Sequence, residues 1–169
     1  MRDESVIVMS DTISERRDHM QFVEAAHGLV LVNGLGLGMS LPPVLSKPEV
    51  RHVMVVERDP DVVALVAPTY LERYPDKLTI VKADAFDFSL GRCPAVVWND
   101  IWDTVSDENV PEMDELEGKY PEAEWCKSWA RERCETFDDF VRHELYGTNL
   151  EVVLARLSGA GFLRKEEDA

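Results

Sequence analysis

Four stretches of this chain carry residue types at spacings suited to chemistry. The segment LVLVNGLGLGMSL, residues 29–41, sets Gly34, Gly36 and Gly38 at every second position directly behind an apolar run. Glycine weakens a strand or helix interior by about 0.5–1 kcal/mol relative to alanine, so such a cluster implies a loop that turns sharply or approaches a ligand closely. Glu57 closes a second apolar run, HVMVVE, nineteen residues after Gly38. An acid at the tip of a second strand at that distance accepts hydrogen bonds from ribose hydroxyls. In VKADAFDF, residues 81–88, Asp84 is placed to accept from an adenine amino group, and the following amide, that of Ala85, to donate to the ring. AVVWND, residues 95–100, ends in Asn99 and Asp100, where open α/β sheets bind ligands. Asp100 is suited either to orienting or deprotonating an amine or hydroxyl acceptor, or to capping the segment that follows.

The glycine spacing separates two cofactor classes. A dinucleotide fingerprint, G-x-G-x-x-G, counted from Gly34 requires glycine at position 39, where this chain has Met39. Pyrophosphate also needs a clean helix N-terminus behind the loop, and Pro42 and Pro43 stand there instead. The pattern G-x-G-x-G therefore argues against a nicotinamide-dependent oxidoreductase.

Alternating apolar runs and helical patterns must position these residues. Runs at 29–33, 52–57, 78–84 and 95–100 read as buried parallel strands. A short run at 5–9 reads as an edge strand, and Ser10 or Asp11 as the cap of a helix ending before Gly28. DPDVVALVAPTYLERY reads as a helix with Pro60 in its first turn and Val62, Val63, Val66 and Tyr70 inward. Right-handed crossovers between such strands predict an α/β, Rossmann-like three-layer sandwich with a mainly parallel sheet and a core strand order of 3-2-1-4. Beyond residue 104 the chain reads as helical and acidic, with nine acids and one lysine from Asp103 to Glu124. Asn109 is expected to cap a helix from Pro111 to about Gly118. A second helix is expected from Pro121, carrying Trp125 and Trp129 against the sheet, and FDDFVRHEL and NLEVVLARLSGAGF continue the helical pattern. No fifth buried strand stands out. Asp103 reads as a turn or capping residue, Trp98 as core, and Trp102 as a pocket wall.

With these pieces assembled, VLVNGLGLGM, VMVVERDPDVV, VKADAFDF and AVVWNDIWD resemble class I S-adenosylmethionine-dependent methyltransferases, and more closely their spermidine-synthase-like branch. The resemblance covers residues 28–104. It implies S-adenosylmethionine as cofactor, with its methionine part held by the loop around Gly34, Gly36 and Gly38. It places Glu57 on the ribose, Arg58 beside the adenine, and Asp84 with Ala85 on the adenine edge. Asn33 and Asn99 join the cofactor-binding candidates, and Asp100 is the catalytic candidate. Aminopropyltransferases of that branch usually carry an acid between the last glycines, where this chain has Leu37. Methyl transfer, or cofactor binding without transfer in an interaction or regulatory module, fits that substitution better than aminopropyl transfer.

The whole chain of 169 residues, 45% hydrophobic, is expected to form a single domain, with the cofactor core at 28–104 and a helical part at 105–169. Its formal net charge of −15 opposes a long nucleic acid as partner and leaves a small-molecule or protein acceptor, a basic protein partner and a homodimer open. Cys93, Cys126 and Cys134 lack CxxC spacing, so reduced thiols rather than a metal site are expected. No run approaches a spanning helix, and the apolar stretch near the start is too short for a signal-peptide core, so a cytoplasmic placement is expected.

Overall fold

The computed structural model describes residues 17–136. The expected edge strand at 5–9, the cap at Ser10 or Asp11 and the helical readings of FDDFVRHEL and NLEVVLARLSGAGF lie outside the described residues.

In chain order the elements are α1 (Met20–Ala25), β1 (Gly28–Asn33), α2 (Leu41–Ser46), β2 (Val50–Glu57), α3 (Pro60–Arg73), β3 (Leu78–Lys82) and β4 (Val96–Asn99). A 3-10 turn (Asp107–Asn109), α4 (Val110–Gly118) and β5 (Trp125–Ser128) follow. The five strands pair only in parallel, in the order β3-β2-β1-β4-β5. The chain runs outward from β1 through β2 to β3, then returns to the other side of β1 for β4 and β5. A topological switch point therefore lies between the carboxyl ends of β1 and β4, where this architecture opens a crevice.

Leu29, Val30, Leu31 and Val32 supply apolar groups to both faces of β1, and all four are buried. On one face Val30, Val32, Val53, Val55, Val96 and Trp98 pack against Phe22, Leu41, Val44, Leu45 and Ala67 from α1, α2 and α3. On the other, Leu31, Val56 and Val97 meet Tyr120 and Phe88. Trp98 is core, as expected, stacked on Phe22 at 5.4 Å and on Trp125 at 5.9 Å between ring centroids. Pro42 and Pro43 confine α2 to six residues, and α3 is capped by Asp59, whose carboxylate accepts from the N–H groups of Asp61 and Val62. Val62, Val63, Val66 and Tyr70 face inward as read. The carbonyls ending the short helices are held by lysines: Lys47 Nζ donates to Val23 and Glu24 of α1, and Lys77 Nζ to Leu45 and Lys47 at the end of α2.

Three expectations are corrected. A fifth strand exists, because Trp125–Ser128 pairs with β4. Residues four apart share a face in a helix and in a strand alike, so the Trp125/Trp129 spacing did not distinguish the two. Second, α4 begins at Val110, and Asn109 precedes it without a side-chain cap, its amide donating instead to the Thr104 carbonyl at 2.7 Å. Third, Asp103 stands in a bend, in keeping with a turn residue, but caps nothing, since it accepts no hydrogen bond among the described residues; the cap in this stretch is Ser106, which accepts from the Glu108 N–H at 3.2 Å. No helix among the described residues is long and apolar enough to cross a membrane.

Candidate functional site

A cleft of about 550 Å³ opens over the carboxyl ends of β1 to β4. Its walls include Gly34, Gly36 and Gly38 from the loop after β1, Glu57 and Arg58 after β2, Asp84 and Ala85 after β3, and Asp100 and Trp102 after β4. Four separate sequence stretches thus converge on one space, although only the sheet brings them together.

The glycines are explained by packing as much as by ligand access. Gly34 has φ +98°, and a Cβ there would lie 1.9 Å from the carbonyl oxygen of Asp100. Its N–H donates to Val56 at 2.8 Å, so β1 and β2 and the segment after β4 meet at this residue. Gly38 has φ +71°, and a Cβ would lie 2.3 Å from the ring of Tyr70, whose hydroxyl donates to the Leu37 carbonyl at 3.0 Å. Only glycine combines left-handed backbone with such approaches at no steric cost.

The carboxylates around the loop are held mainly by neutral backbone N–H groups. Glu57 accepts from Leu35 N–H through Oε2 and from Asp59 N–H through Oε1, each at 2.8 Å. A carboxylate offers about four acceptor positions, so two remain for ligand hydroxyls. Asp84 Oδ1 accepts from Phe86 N–H at 2.9 Å. Lys119, the one lysine of the acidic stretch, reaches across from the end of α4 and donates to the carbonyls of Ala85, Phe86 and Phe88, which fixes the segment after β3.

Asp100 takes a different position. Its N–H donates to the Asn33 carbonyl at 2.8 Å, and its Oδ2 lies 3.7 Å from His19 Nδ1. The side chain of Asp100 stands on the cleft wall beside His19, an imidazole from the segment leading into α1. Asn33 and Asn99 are not on that wall. Both are fully buried behind it, paired across β1 and β4 with Asn33 Nδ2 donating to Asn99 Oδ1 at 2.7 Å. The polar chain continues through the amide of Asn99 to Ser128 Oγ, which donates to Glu117 at 2.8 Å, and Glu117 pairs with Arg131 at 3.4 Å.

Sequence reasoning missed His19, Asp59, Trp129 and Lys119. The Asp59–Pro60 pair is a readable helix start whose carboxylate also reaches the cleft wall. Trp129, expected on a helix, lies just past β5 on the cleft wall with the guanidinium of Arg133 over its ring at 5.3 Å. His19 and Lys119 carry no spacing signal, since tertiary folding alone brings them in. Trp102 is on the wall as expected, its indole N–H donating to Glu112 at 2.8 Å. Burial and the nearby Glu117 push the Cys126 thiol up to about 12. Among the described residues no group of three or more His, Cys, Asp or Glu side chains could hold a metal ion.

The donor set suits S-adenosylmethionine: carboxylates for the ribose diol, an adenine amino group and a positively charged sulfonium, beside an open glycine backbone. It suits a diphosphate poorly, because among the described residues Arg58 and His19 are the only basic side chains against five acids on the wall. No family model matches the chain, and no curated protein matches it. Among solved structures it is similar to the 23S rRNA methyltransferase ErmE, with 18% identity over 67% of this chain and 43% of that one, at a TM-score of 0.51. It is also similar to the N-methyltransferase NodS from Bradyrhizobium japonicum WM9, with 15% identity over 66% of this chain and 65% of that one, at 0.50. The chain spans less than half the length of the first and just under two thirds of the second. At such identities the likeness is one of architecture: the five-stranded, all-parallel sheet is a Rossmann-like fold of the kind methyltransferases use.

Proposed function

We propose that this chain is a single S-adenosylmethionine-binding domain of the class I methyltransferase type, acting on a small-molecule or protein acceptor. The observation that carries the reading is the convergence of Glu57, Asp84 and the Gly34–Gly38 loop on one cleft at the switch point, with no cationic cradle for a diphosphate among the described residues. Glu57 accepts the ribose hydroxyls, Asp84 and the Ala85 amide take the adenine edge, and Arg58 packs beside it. The bound cofactor supplies an electrophilic methyl group. Methyl transfer is an in-line displacement, so the protein chiefly orients the acceptor and removes its proton. Asp100, at the far side of the loop from Asp84, takes that proton, with His19 beside it. The likeness of the four quoted segments to the spermidine-synthase-like branch supports the finer placement, and Leu37 favours methyl over aminopropyl transfer.

Calorimetric titration of the full chain with S-adenosylmethionine, S-adenosylhomocysteine and NAD tests this reading. The first two are expected to bind and NAD to give no heat. Glu57→Ala should weaken S-adenosylmethionine by about 1–3 kcal/mol, because ribose hydroxyls lose a charged acceptor. Binding of NAD alone would overturn the assignment.

A further inference from the structure

We propose that the cleft distinguishes the cofactor from its spent form by charge, holding S-adenosylmethionine about tenfold more tightly than S-adenosylhomocysteine, so that the product leaves readily. The inference rests on the function proposed above and concerns how that same site is freed after transfer. Breaking the sulfur–methyl bond returns an electron pair to sulfur while the acceptor's lone pair takes the methyl group. The sulfonium cation becomes a neutral thioether, and the ligand loses one unit of positive charge with its shape otherwise kept.

The wall of the cleft is built to register that loss. Glu57, Asp59, Asp84 and Asp103 all line it. Glu57, Asp59 and Asp84 accept only from backbone N–H groups, which are neutral dipoles and leave the charge uncompensated. Asp103 accepts no hydrogen bond, and none of the four enters an ion pair among the described residues. Asp100 is left out of the count because His19 lies 3.7 Å from it. Among the described residues Arg58 is the one permanently cationic side chain on the wall, so the four acids keep a net negative field there. Trp102 adds an aromatic group to the wall, and aromatic faces attract cations as well. Unit charges several ångströms apart in a wet cleft interact by a fraction of a kcal/mol each, and the net of three negative charges left by the four acids and Arg58 gives a preference of roughly tenfold.

Calorimetry on the full chain with S-adenosylmethionine and S-adenosylhomocysteine, at about 20 mM and 500 mM salt, decides the matter. The expected result is a roughly tenfold preference for the sulfonium at low salt that falls to about twofold at high salt. The double variant Asp59→Asn/Asp103→Asn should weaken S-adenosylmethionine more than S-adenosylhomocysteine and so lower the low-salt preference to about threefold. Asparagine at position 59 remains a good helix cap, so the fold is kept. Equal affinity for the two ligands, or a preference indifferent to salt and to the double variant, would overturn the inference and leave the proposed function standing. Binding of neither ligand would overturn the proposed function, and the inference with it.

Discussion

The two sides of β1 hold their polar groups by different means. Toward β2 and β3, Glu57 and Asp84 are positioned by backbone N–H groups of the neighbouring loops. Toward β4 and β5, Asn33, Asn99, Ser128, Glu117 and Arg131 are linked side chain to side chain in a line running inward from the end of α4. Backbone dipoles orient a carboxylate and leave its charge available to a ligand. Side-chain partners largely consume one another and brace the cleft from behind, although Asn33 Oδ1 is buried without a hydrogen-bond partner among the described residues. The β2–β3 side, the cofactor side of the proposed function, therefore keeps its charge available, and the β4–β5 side is its support, adding Asp100, Trp102 and Trp129 to the wall.

Substitutions at the seam between the two sides should have the largest effects. Gly34→Ala is expected to destabilise the chain by about 4 kcal/mol or more, since its methyl group meets the Asp100 backbone rather than a movable side chain. Gly38→Ala should cost about half as much, because Tyr70 can shift, and Tyr70→Ala should recover part of the loss. Urea unfolding reads both, and equal costs at the two glycines would break the picture of the seam as backbone against backbone. Asn99→Leu comes next, at about 2–3 kcal/mol by the same measurement, because the buried Asn33 amide loses its acceptor. The paired change Asn33→Leu/Asn99→Leu should cost less than Asn99→Leu alone, since no buried donor is then stranded. If it costs more, the contacts of the Asn99 amide with Ser128 and the Lys127 carbonyl outweigh the pair itself.

The smallest effect belongs to a contact at the rim of the support side. His27 donates through Nδ1 to the Ala25 carbonyl and through Nε2 to the Glu124 carboxylate, at 2.8 and 3.0 Å, and the carbonyl first, then Glu124, raise its pKa. A raised histidine contributes its stability below the ordinary imidazole range and loses it as pH rises through the folded value. Screening at this exposed site limits the effect to about 0.3 kcal/mol. The unfolding midpoint of wild type relative to His27→Gln should therefore fall slightly between pH 5 and pH 8, and a difference that grows with pH would reverse the assignment.

The same division explains what could be read from sequence. On the cofactor side, β1, β2 and β3 are near-continuous runs of Val, Leu and Ile ended by glycine or acid, so strands, order and the convergence of Glu57 with Asp84 were legible. On the support side, β5 has four residues, WCKS, in which Trp125 packs on one face and Cys126 on the other. Four residues give period-two alternation too little length to compete with a tryptophan pair at helical spacing. Asn33 and Asn99 looked like ligand contacts because polar residues at strand ends usually are. Their burial follows from the parallel register that sets them opposite each other, and no local pattern encodes it. Asp103 lies on the wall for a similar reason, since the path of the segment after β4, and no local pattern, brings it there.

Lys47, Lys77 and Lys119 each converge on two or three main-chain oxygens. An ammonium group suits that task because its three N–H bonds diverge tetrahedrally from one small atom. A guanidinium is flat and presents its five donors as a fork, which matches a carboxylate and not a cluster of carbonyls seen end-on. Exchange of lysine for arginine at these positions keeps the charge and discards the geometry. In a protein so rich in acids, the few cations that matter most to its architecture are recognised by shape before charge.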